Sequence, residues 1–210
     1  ADRPVRPLGA LLGRLDRAGQ LRGLRRAGRP IGPPGLAGVT VAGVTGDSRR
    51  VRAGWIFAAV AGEHVDGHDF VAAAERAGAV VALVERPVPD VALPQLVVAG
   101  ARRALAEAAA WFFDDPSSEL GVVGITGTDG KTTTSFLAVS ALEAAGLPAG
   151  LISTVETKIG PVREANPEHV TTPEAPELQA ALRAMVMAGD LVAILETTSH
   201  GLALDRVAAI

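Results

Sequence analysis

The most informative stretch of this sequence reads Gly124-Ile125-Thr126-Gly127-Thr128-Asp129-Gly130-Lys131-Thr132-Thr133-Thr134. An apolar run from Leu120 to Thr126 predicts a buried strand, and the residues from Lys131 to Ala145 predict a helix. Small residues between a strand and a helix let backbone N–H groups approach phosphate oxygens, and the helix N-terminus adds unpaired donors and a partial positive charge. The stretch therefore indicates a loop that binds the phosphates of a nucleotide.

The residues of this loop have distinct expected roles. Lys131 can reach the β- and γ-phosphates, and the Thr132 hydroxyl can bind Mg²⁺. Ile125 breaks the common pattern G-x-x-x-x-G-K-S/T, so the shorter G-x-x-G-K-T of residues 127–132 carries the prediction. Asp129 beside a triphosphate costs about 1–4 kcal/mol at ~4 Å, so it must point away, pair with a cation or tune the site. The alternative is a glycine-rich turn with a surface lysine, which three consecutive threonines do not suit.

The composition excludes several classes of protein. The 210 residues are 48% hydrophobic, which is enough for a core, and 24 Gly and 14 Pro are too few for general disorder. The absence of cysteine excludes a disulfide framework, a thiolate zinc site and a cysteine nucleophile. A net charge of −3 argues against nucleic acid as a partner. Without a targeting signal or an apolar run of membrane-spanning length, we expect a soluble, cytoplasmic protein with no membrane partner.

Predicted strands and helices alternate along most of the chain, which indicates an α/β fold with a mainly parallel sheet. One or two helices are expected within residues 8–24, and an irregular stretch at 28–38. The polar, turn-forming residues from Asp114 to Ser118 mark a boundary. The sequence therefore predicts two domains, 1–118 and 119–210.

A second group of candidate residues follows the last predicted strand, 191–195. Glu196 and His200 come at the carboxyl end of this strand, where α/β sheets place ligands, and the phosphate loop lies at the end of another strand. Both strand ends can therefore meet in one crevice. Before this strand, Thr172 is predicted to cap the N-terminus of a helix that is expected to run to Met187.

The phosphate loop and several further stretches resemble a known family. Residues 124–134 resemble the ATP loop of the Mur ligases, which build the peptidoglycan precursor. The other stretches resemble those of the family's third-residue ligases, the UDP-N-acetylmuramoyl-dipeptide (MurE-type) enzymes. They are Asp47-Ser48-Arg49, Gly54-Trp55-Ile56-Phe57-Ala58-Ala59, Gly62 with Asp66-Gly67-His68-Asp69-Phe70, Thr171-Thr172-Pro173-Glu174, and Glu196-Thr197-Thr198-Ser199-His200-Gly201-Leu202 through Arg206.

The resemblance implies a set of binding residues and a role for each domain. The N-terminal α/β domain would bind the UDP precursor, and the second would be the first part of a P-loop ATPase domain. ATP would be bound by Gly127, Thr128, Asp129, Gly130, Lys131, Thr132 and Thr133. One Mg²⁺ would be held by Thr132 and Glu196, and a second with the help of His200. The uridine diphosphate end would face Ser48, Glu63, His64 and Val65, and the muramoyl-peptide side would face Thr171, Thr172, Thr198 and Arg206.

The resemblance also implies a reaction. An ATP-dependent amide ligase would add the third amino acid, L-lysine or meso-diaminopimelate, to UDP-N-acetylmuramoyl-L-Ala-D-Glu through an acyl phosphate. Lys131, Glu196 and His200 would be its catalytic residues, acting mostly by charge neutralisation and positioning. Asp129 stands where the family usually has Asn, and Leu204 stands where a Gln is often found near the substrate.

The chain stops at Ile210, before two parts that the family carries. These are a carbamate-modified lysine that supports the second metal and a C-terminal domain that recognises the incoming amino acid. We therefore expect an incomplete ligase that does not complete ligation alone. A sheet cut partway would also leave an unpaired edge and exposed apolar surface, so self-association is expected.

Two other functions stay open. A non-catalytic module would hold the nucleotide precursor or ATP without turnover. Another member of the superfamily, a different Mur ligase or a folylpolyglutamate-type ligase, would share the ATP loop but not the stretch from Asp47 to Phe70. A zinc site at His64 and His68 is disfavoured because an Asp-Gly turn separates them.

Overall fold

The computed structural model describes residues 5–62, 65–166 and 169–210. The chain forms two compact units, Ala1–Phe112 and Phe113–Ile210. Each unit contains a β-sheet with helices packed against it, so the predicted α/β class is confirmed. Within the described ranges, no helix is both long enough and apolar enough to cross a membrane.

The first unit is built on a six-stranded mixed sheet. The strands of the whole unit are β1 (Arg6–Pro7), β2 (Leu21–Arg26), β3 (Arg29–Pro30), β4 (Thr40–Val41), β5 (Gly43–Thr45), β6 (Trp55–Ala58), β7 (Val81–Val84) and β8 (Gln95–Val98), and its helices are α1 (Leu8–Arg17), α2 (Val71–Arg76) and α3 (Ala101–Phe112). The sheet order is β3-β2-β8-β7-β6-β5, and β1 pairs with β4. From β5 to β8 the neighbouring strands are parallel, whereas β2 is antiparallel to both of its neighbours.

Leucine and alanine build the helical layer of this unit. Leu8, Leu11 and Leu15 recur at helical spacing on α1 and are fully buried. α3 is rich in alanine, whose small side chain lets the helix lie close to β5, β6 and β7. α1 packs on α3, and an ion pair between Arg14 of α1 and Glu107 of α3, 2.7 Å apart, joins the two helices beside their buried apolar side chains.

Two segments of the first unit differ from the sequence prediction. The helix expected within residues 8–24 ends at Arg17, because Gly19 adopts the left-handed conformation with a φ of 66°. The backbone N–H groups of Gly19 and Gln20 then donate to the carbonyl oxygens of Asp16 and Leu15 and terminate the helix. The residues that follow form β2, which pairs with β8. The stretch expected to be irregular contains β3 and a 3₁₀ turn at Pro33–Leu36.

The second unit contains a five-stranded mixed sheet. Its strands are β9 (Gly121–Ile125), β10 (Ala149–Ile152), β11 (Glu156–Ile159), β12 (Val162–Ala165) and β13 (Val192–Glu196), and its helices are α4 (Lys131–Ala144), α5 (Ala175–Ala188) and α6 (Ser199–Ala203). The order is β12-β11-β10-β13-β9. β13 lies parallel to both β10 and β9, whereas β11 and β12 form an antiparallel hairpin beside β10.

Alternating side chains of β10 and β13 separate the two helix layers of this unit. Leu151 and Ile194 are register partners and pack with α4. The next pair, Ile152 and Leu195, packs with α5. Because successive side chains of a strand point to opposite faces, α4 and α5 cover opposite faces of the sheet. The carboxyl ends of β9, β10 and β13 are left together at one edge.

The start of α5 differs from the sequence prediction. The prediction that Thr172 caps this helix is wrong, because the helix begins at Ala175 with Glu174 at the N-cap position. The Thr172 hydroxyl instead accepts a hydrogen bond from the backbone N–H of Thr198 at 3.0 Å. Thr172 is therefore bound to the segment after β13 and not to its own helix.

Hydrogen bonds lock the Asp-Gly-His turn of the first unit. The Asp66 carboxylate accepts from the backbone N–H of His68 at 2.9 Å and from Arg86 Nη2 at 2.6 Å. The hydrogen bond from the His68 backbone N–H has the largest effect, and together with the one from Arg86 it holds the pKa of the Asp66 carboxyl far below its ordinary value. His68 Nε2 accepts from the Glu85 N–H at 3.0 Å, so the proton of this buried ring sits on Nδ1, 2.6 Å from Asp66.

We expect Gly67→Ala to destabilise the first unit. A Cβ at this position would lie 2.5 Å from the carbonyl oxygen and 2.6 Å from the nitrogen of Val60, which are backbone atoms that cannot rotate away. Overpacking of this kind costs about 1–3 kcal/mol. The control is Gly9→Ala on α1, where open space surrounds the new Cβ and alanine favours the helix. Urea denaturation measures the free energy of unfolding of both variants. If Gly67→Ala were as stable as the wild type, the close contact between Gly67 and the Val60 backbone would be contradicted.

Candidate active site

Residues 126–130 join β9 to α4 and form an exposed turn. Gly127 has a φ of 149° and Gly130 a φ of 78°, and a side chain would strain the backbone at both. Gly130 is also the N-cap residue of α4. The first N–H groups of an α-helix have no partner within the helix, so the start of α4 offers donors to an anion held by this turn.

Lys131 is the first residue of α4, and its side chain folds back over the turn. Its Nζ donates to the carbonyl oxygen of Gly127 at 2.8 Å and lies 3.4 Å from that of Thr128. An anion bound at the turn would meet the ammonium group and the helix donors together. Asp129 and Thr133 are exposed.

Glu196 is the buried acid beside this turn. It ends β13, is the register partner of Ile125 and is 3% exposed. Its Oε1 accepts a hydrogen bond from Thr132 Oγ1 at 2.9 Å. The parallel pairing of β13 with β9 therefore brings Thr132 and Glu196, the predicted metal-binding pair, into direct contact.

The sequence analysis missed one residue that contacts the same acid. The backbone N–H of Thr154 donates to Glu196 Oε2 at 3.1 Å, and the Thr154 hydroxyl donates to Oε1 at 3.1 Å. Thr154 follows β10, which lies next to β13 in the sheet. Its place just after the apolar residues Leu151 and Ile152 was the available signal, since the carboxyl ends of parallel strands gather ligand-binding groups.

The threonine pair, Thr171 and Thr172, was predicted to bind substrate, and Thr154 lies between this pair and Glu196. Thr171 Oγ1 is 2.7 Å from Thr154 Oγ1. Thr198 is bound to Thr172 through its backbone N–H, and its hydroxyl caps α6 by accepting from the Gly201 N–H at 2.9 Å. A Cβ on Gly201 would lie 2.7 Å from the Cβ of Thr172. Glycine at this position therefore allows α6 to start against the threonine pair.

Arg206 follows α6 and binds the same segment. Its Nη1 donates to the carbonyl oxygen of Thr172 at 2.7 Å, and its Nη2 pairs with Glu174 Oε1 at 2.7 Å. Its Nε is buried and has no hydrogen-bond partner among the described residues. The structure thus brings together four predicted substrate-binding residues, namely Thr171, Thr172, Thr198 and Arg206.

The oxygen atoms beside the loop fit Mg²⁺. Thr132 and Glu196 offer a hydroxyl and a carboxylate, and Mg²⁺ is usually held by one or two carboxylates together with substrate phosphates. In the part of the chain that the structure describes, no group of three His, Asp or Glu could hold a metal by itself. Phosphate and water oxygens would therefore complete the set. His200 is exposed on the short helix α6, and its role toward a second ion stays a prediction.

The residues predicted to face uridine diphosphate belong to the first unit. Ser48 is half-buried and opens a 3₁₀ turn just after β5. Asp47 caps this turn by accepting from the Arg49 N–H at 3.0 Å, and the side-chain hydrogen bond from Arg49 lowers the pKa of Asp47. Val65 is exposed, whereas Glu63 and His64 lie outside the described residues.

Two family models match this chain. The one described as "Mur ligase family, catalytic domain" matches residues 40–113, and the one described as "Mur ligase middle domain" matches residues 125–210. The chain belongs to the Mur ligase family. The resemblance seen in the sequence is thereby confirmed, and the loop at 127–133, Glu196 and the threonine pair of this Mur ligase all fall in the middle-domain match.

Curated relatives of this Mur ligase are much longer proteins. The UDP-N-acetylmuramyl-tripeptide synthetase of Deinococcus radiodurans is 50% identical over 171 residues, which are 80% of this chain and 35% of that protein. The UDP-N-acetylmuramoyl-L-alanyl-D-glutamate–2,6-diaminopimelate ligase of Geobacter metallireducens is 38% identical over 190 residues, which are 90% of this chain and 37% of that protein. The chain thus spans about a third of the length of the curated relatives it matches.

Solved structures share the fold of this Mur ligase. A UDP-N-acetylmuramoyl-L-alanyl-D-glutamate–2,6-diaminopimelate ligase matches 81% of this chain with a TM-score of 0.68 and 28% identity, and the match covers 34% of that protein. MurF from Acinetobacter baumannii matches 95% of this chain with a TM-score of 0.60 and 23% identity, covering 37% of that protein. The second likeness shows the fold alone.

Proposed function

We propose that this chain carries the ATP site and the precursor site of a ligase that adds the third amino acid to UDP-N-acetylmuramoyl-L-Ala-D-Glu. The hydrogen bond from Thr132 to Glu196 carries the proposal, because it joins the phosphate loop to a buried acid on the neighbouring strand. The names of the relatives, a tripeptide synthetase and a diaminopimelate ligase, support this reaction. The added residue would be L-lysine or meso-diaminopimelate, and the enzyme would be cytoplasmic.

The proposed reaction couples phosphoryl transfer to amide formation. A carboxylate of the precursor attacks the γ-phosphate of ATP, which gives an acyl phosphate and ADP. The amine of the incoming amino acid then displaces phosphate and forms the amide. Both steps depend on alignment and on neutralising phosphate charge. The turn at residues 127–133 would bind the triphosphate, and the Lys131 ammonium would stabilise negative charge on its β- and γ-oxygens.

The metal ligands and the residues that bind the precursor would complete the site. Thr132 and Glu196 would hold Mg²⁺, and His200 would help to hold a second ion. When bound, Mg²⁺ supplies further neutralisation of phosphate charge. The muramoyl-peptide side would be bound by Thr171, Thr172, Thr198 and Arg206, whose guanidinium carries the positive charge that an anionic group requires. The uridine diphosphate end would be bound by Ser48, Glu63, His64 and Val65.

Isothermal titration calorimetry of the 210-residue chain tests this function. We expect UDP-N-acetylmuramoyl-L-Ala-D-Glu to bind, free UDP-glucose to bind much more weakly, and ATP to bind in the presence of Mg²⁺. Precursor binding without ATP binding would favour a non-catalytic module. ATP binding without any binding of the uridine nucleotide would favour another ligase of the superfamily.

We also propose that the chain self-associates through β9, which forms one edge of its sheet. Val123 on β9 is 45% exposed and Leu137 on α4 is 65% exposed. An edge strand with apolar side chains favours pairing with a second copy. We expect light scattering to show a mass that rises with concentration, and Val123→Lys to shift the chain toward monomer. A monomeric wild-type chain at all concentrations would contradict this.

A further inference from the structure

Thr154 lies in the middle of a chain of hydrogen bonds that crosses the site. Thr132 Oγ1 is 2.9 Å from Glu196 Oε1, Thr154 Oγ1 is 3.1 Å from the same oxygen, and Thr171 Oγ1 is 2.7 Å from Thr154 Oγ1. Thr132 lies on α4, Glu196 ends β13, and Thr154 follows β10. The chain of bonds therefore connects the phosphate loop to the threonine pair.

The Glu196 carboxylate receives two of its three described hydrogen bonds from Thr154. A carboxylate that is 3% exposed is costly unless donors surround it. Thr154 supplies two donors, its N–H to Oε2 and its hydroxyl to Oε1, while Thr132 supplies one. Because Thr154 binds both carboxylate oxygens, it fixes the rotation of this group about its last bond.

The positions of the protons follow from the same contacts. A threonine hydroxyl carries one proton and can accept at its lone pairs. The proton of Thr154 is directed at Glu196, so the hydrogen bond between the two threonine hydroxyls is donated by Thr171. Thr154 therefore sets the direction of the Thr171 hydroxyl as well as the orientation of Glu196.

We propose that Thr154 is a positioning residue that holds the Glu196 carboxylate against Thr132 and orients the Thr171 hydroxyl. Its effect on ligands would be exerted through these two neighbours. The expected consequence for Mg²⁺ and ATP rests on the proposed function, because it requires that Glu196 holds the metal. The hydrogen-bond chain itself can be tested without any ligand.

Three variants separate the hydroxyl from the shape of the side chain. Thr154→Val keeps the branched shape and removes the hydroxyl, whereas Thr154→Ser keeps the hydroxyl. Thr157→Val, on β11 of the same sheet, is the matched control. In methyl NMR spectra of the free protein, we expect Thr154→Val to shift the signals of Thr132 and Thr171, and the other two variants to leave both near their wild-type positions. Unshifted signals in Thr154→Val would overturn the proposal.

Nucleotide binding supplies the second measurement. We expect Thr154→Val to weaken ATP binding in the presence of Mg²⁺ by about tenfold, the size expected for one hydrogen bond to a charged group. Binding of ATP without the metal should be unchanged, and Thr154→Ser should restore wild-type affinity. Equal affinity of Thr154→Val and wild type for the Mg²⁺ complex would overturn the proposal. A wild-type chain that binds no ATP would instead refute the proposed function, and the NMR spectra would still decide the role of Thr154.

Discussion

Lys131→Ala should weaken ATP binding by about 10- to 100-fold, because a hydrogen bond to a charged group contributes roughly 1.5–3 kcal/mol and each 1.4 kcal/mol is about tenfold in affinity. The ammonium group bonds to carbonyl oxygens of an exposed turn, so its removal leaves no buried charge behind. We therefore expect the variant to fold as the wild type does. Calorimetric titration with ATP and Mg²⁺ measures the effect.

The second lysine of the chain provides the contrast. Lys158 is buried, donates to the carbonyl oxygen of Ala149 at 2.7 Å and pairs with Glu143 at 2.8 Å. Lys158→Ala should lower the thermal unfolding temperature because it removes one partner of this pair, and it should leave ATP affinity unchanged while the protein is folded. Wild-type ATP affinity in Lys131→Ala would contradict the assignment of the phosphate loop.

Glu196→Gln should abolish the strengthening of ATP binding by Mg²⁺ and should destabilise the second unit. The carboxylate accepts hydrogen bonds on both of its oxygens, from Thr132 and Thr154. A glutamine amide has one oxygen, so its NH₂ group would face a donor and leave that donor unsatisfied, at about 1–3 kcal/mol. Loss of the negative charge would also remove the anionic ligand proposed for Mg²⁺. ATP titrations with and without Mg²⁺, together with thermal unfolding, measure both effects.

An exposed acid of the same sheet is the matched control for this variant. Glu164 lies on β12, where every residue is exposed. Glu164→Gln should leave both the stability and the Mg²⁺ dependence of ATP binding as in the wild type. If Glu196→Gln retained the full Mg²⁺ dependence, Glu196 would not be a ligand of the metal.

The elements predicted correctly from the sequence are those with local signals. β9 and α4 were predictable because an apolar run, a glycine-rich turn and a helix-forming segment follow one another directly. The end of α5 was predictable because Gly189 adopts the left-handed conformation that terminates helices. β2 was not predictable in the same way. Its residues form a strand through pairing with β8, whose partner residues lie at least 70 positions later in the chain.

The residues of the candidate site also differ in whether a local sequence signal marks them. Lys131 and Thr132 belong to a short motif, and Glu196 stands at the end of an apolar run, so each could be selected without knowing the fold. Thr154 was missed because its contact with Glu196 depends on β10 lying next to β13 in the sheet. The helix cap predicted at Thr172 failed because a distant donor, the backbone N–H of Thr198, binds its hydroxyl.

A crystal structure of this chain with Mg²⁺ and a non-hydrolysable ATP analogue would test the central claim most directly. We expect the β- and γ-phosphates to lie within the turn at residues 127–133, with Lys131 Nζ on a phosphate oxygen in place of the Gly127 carbonyl. The metal should lie about 2.1 Å from Thr132 Oγ1 and beside the Glu196 carboxylate. A nucleotide bound elsewhere, with Lys131 still on the carbonyl of Gly127, would contradict the account.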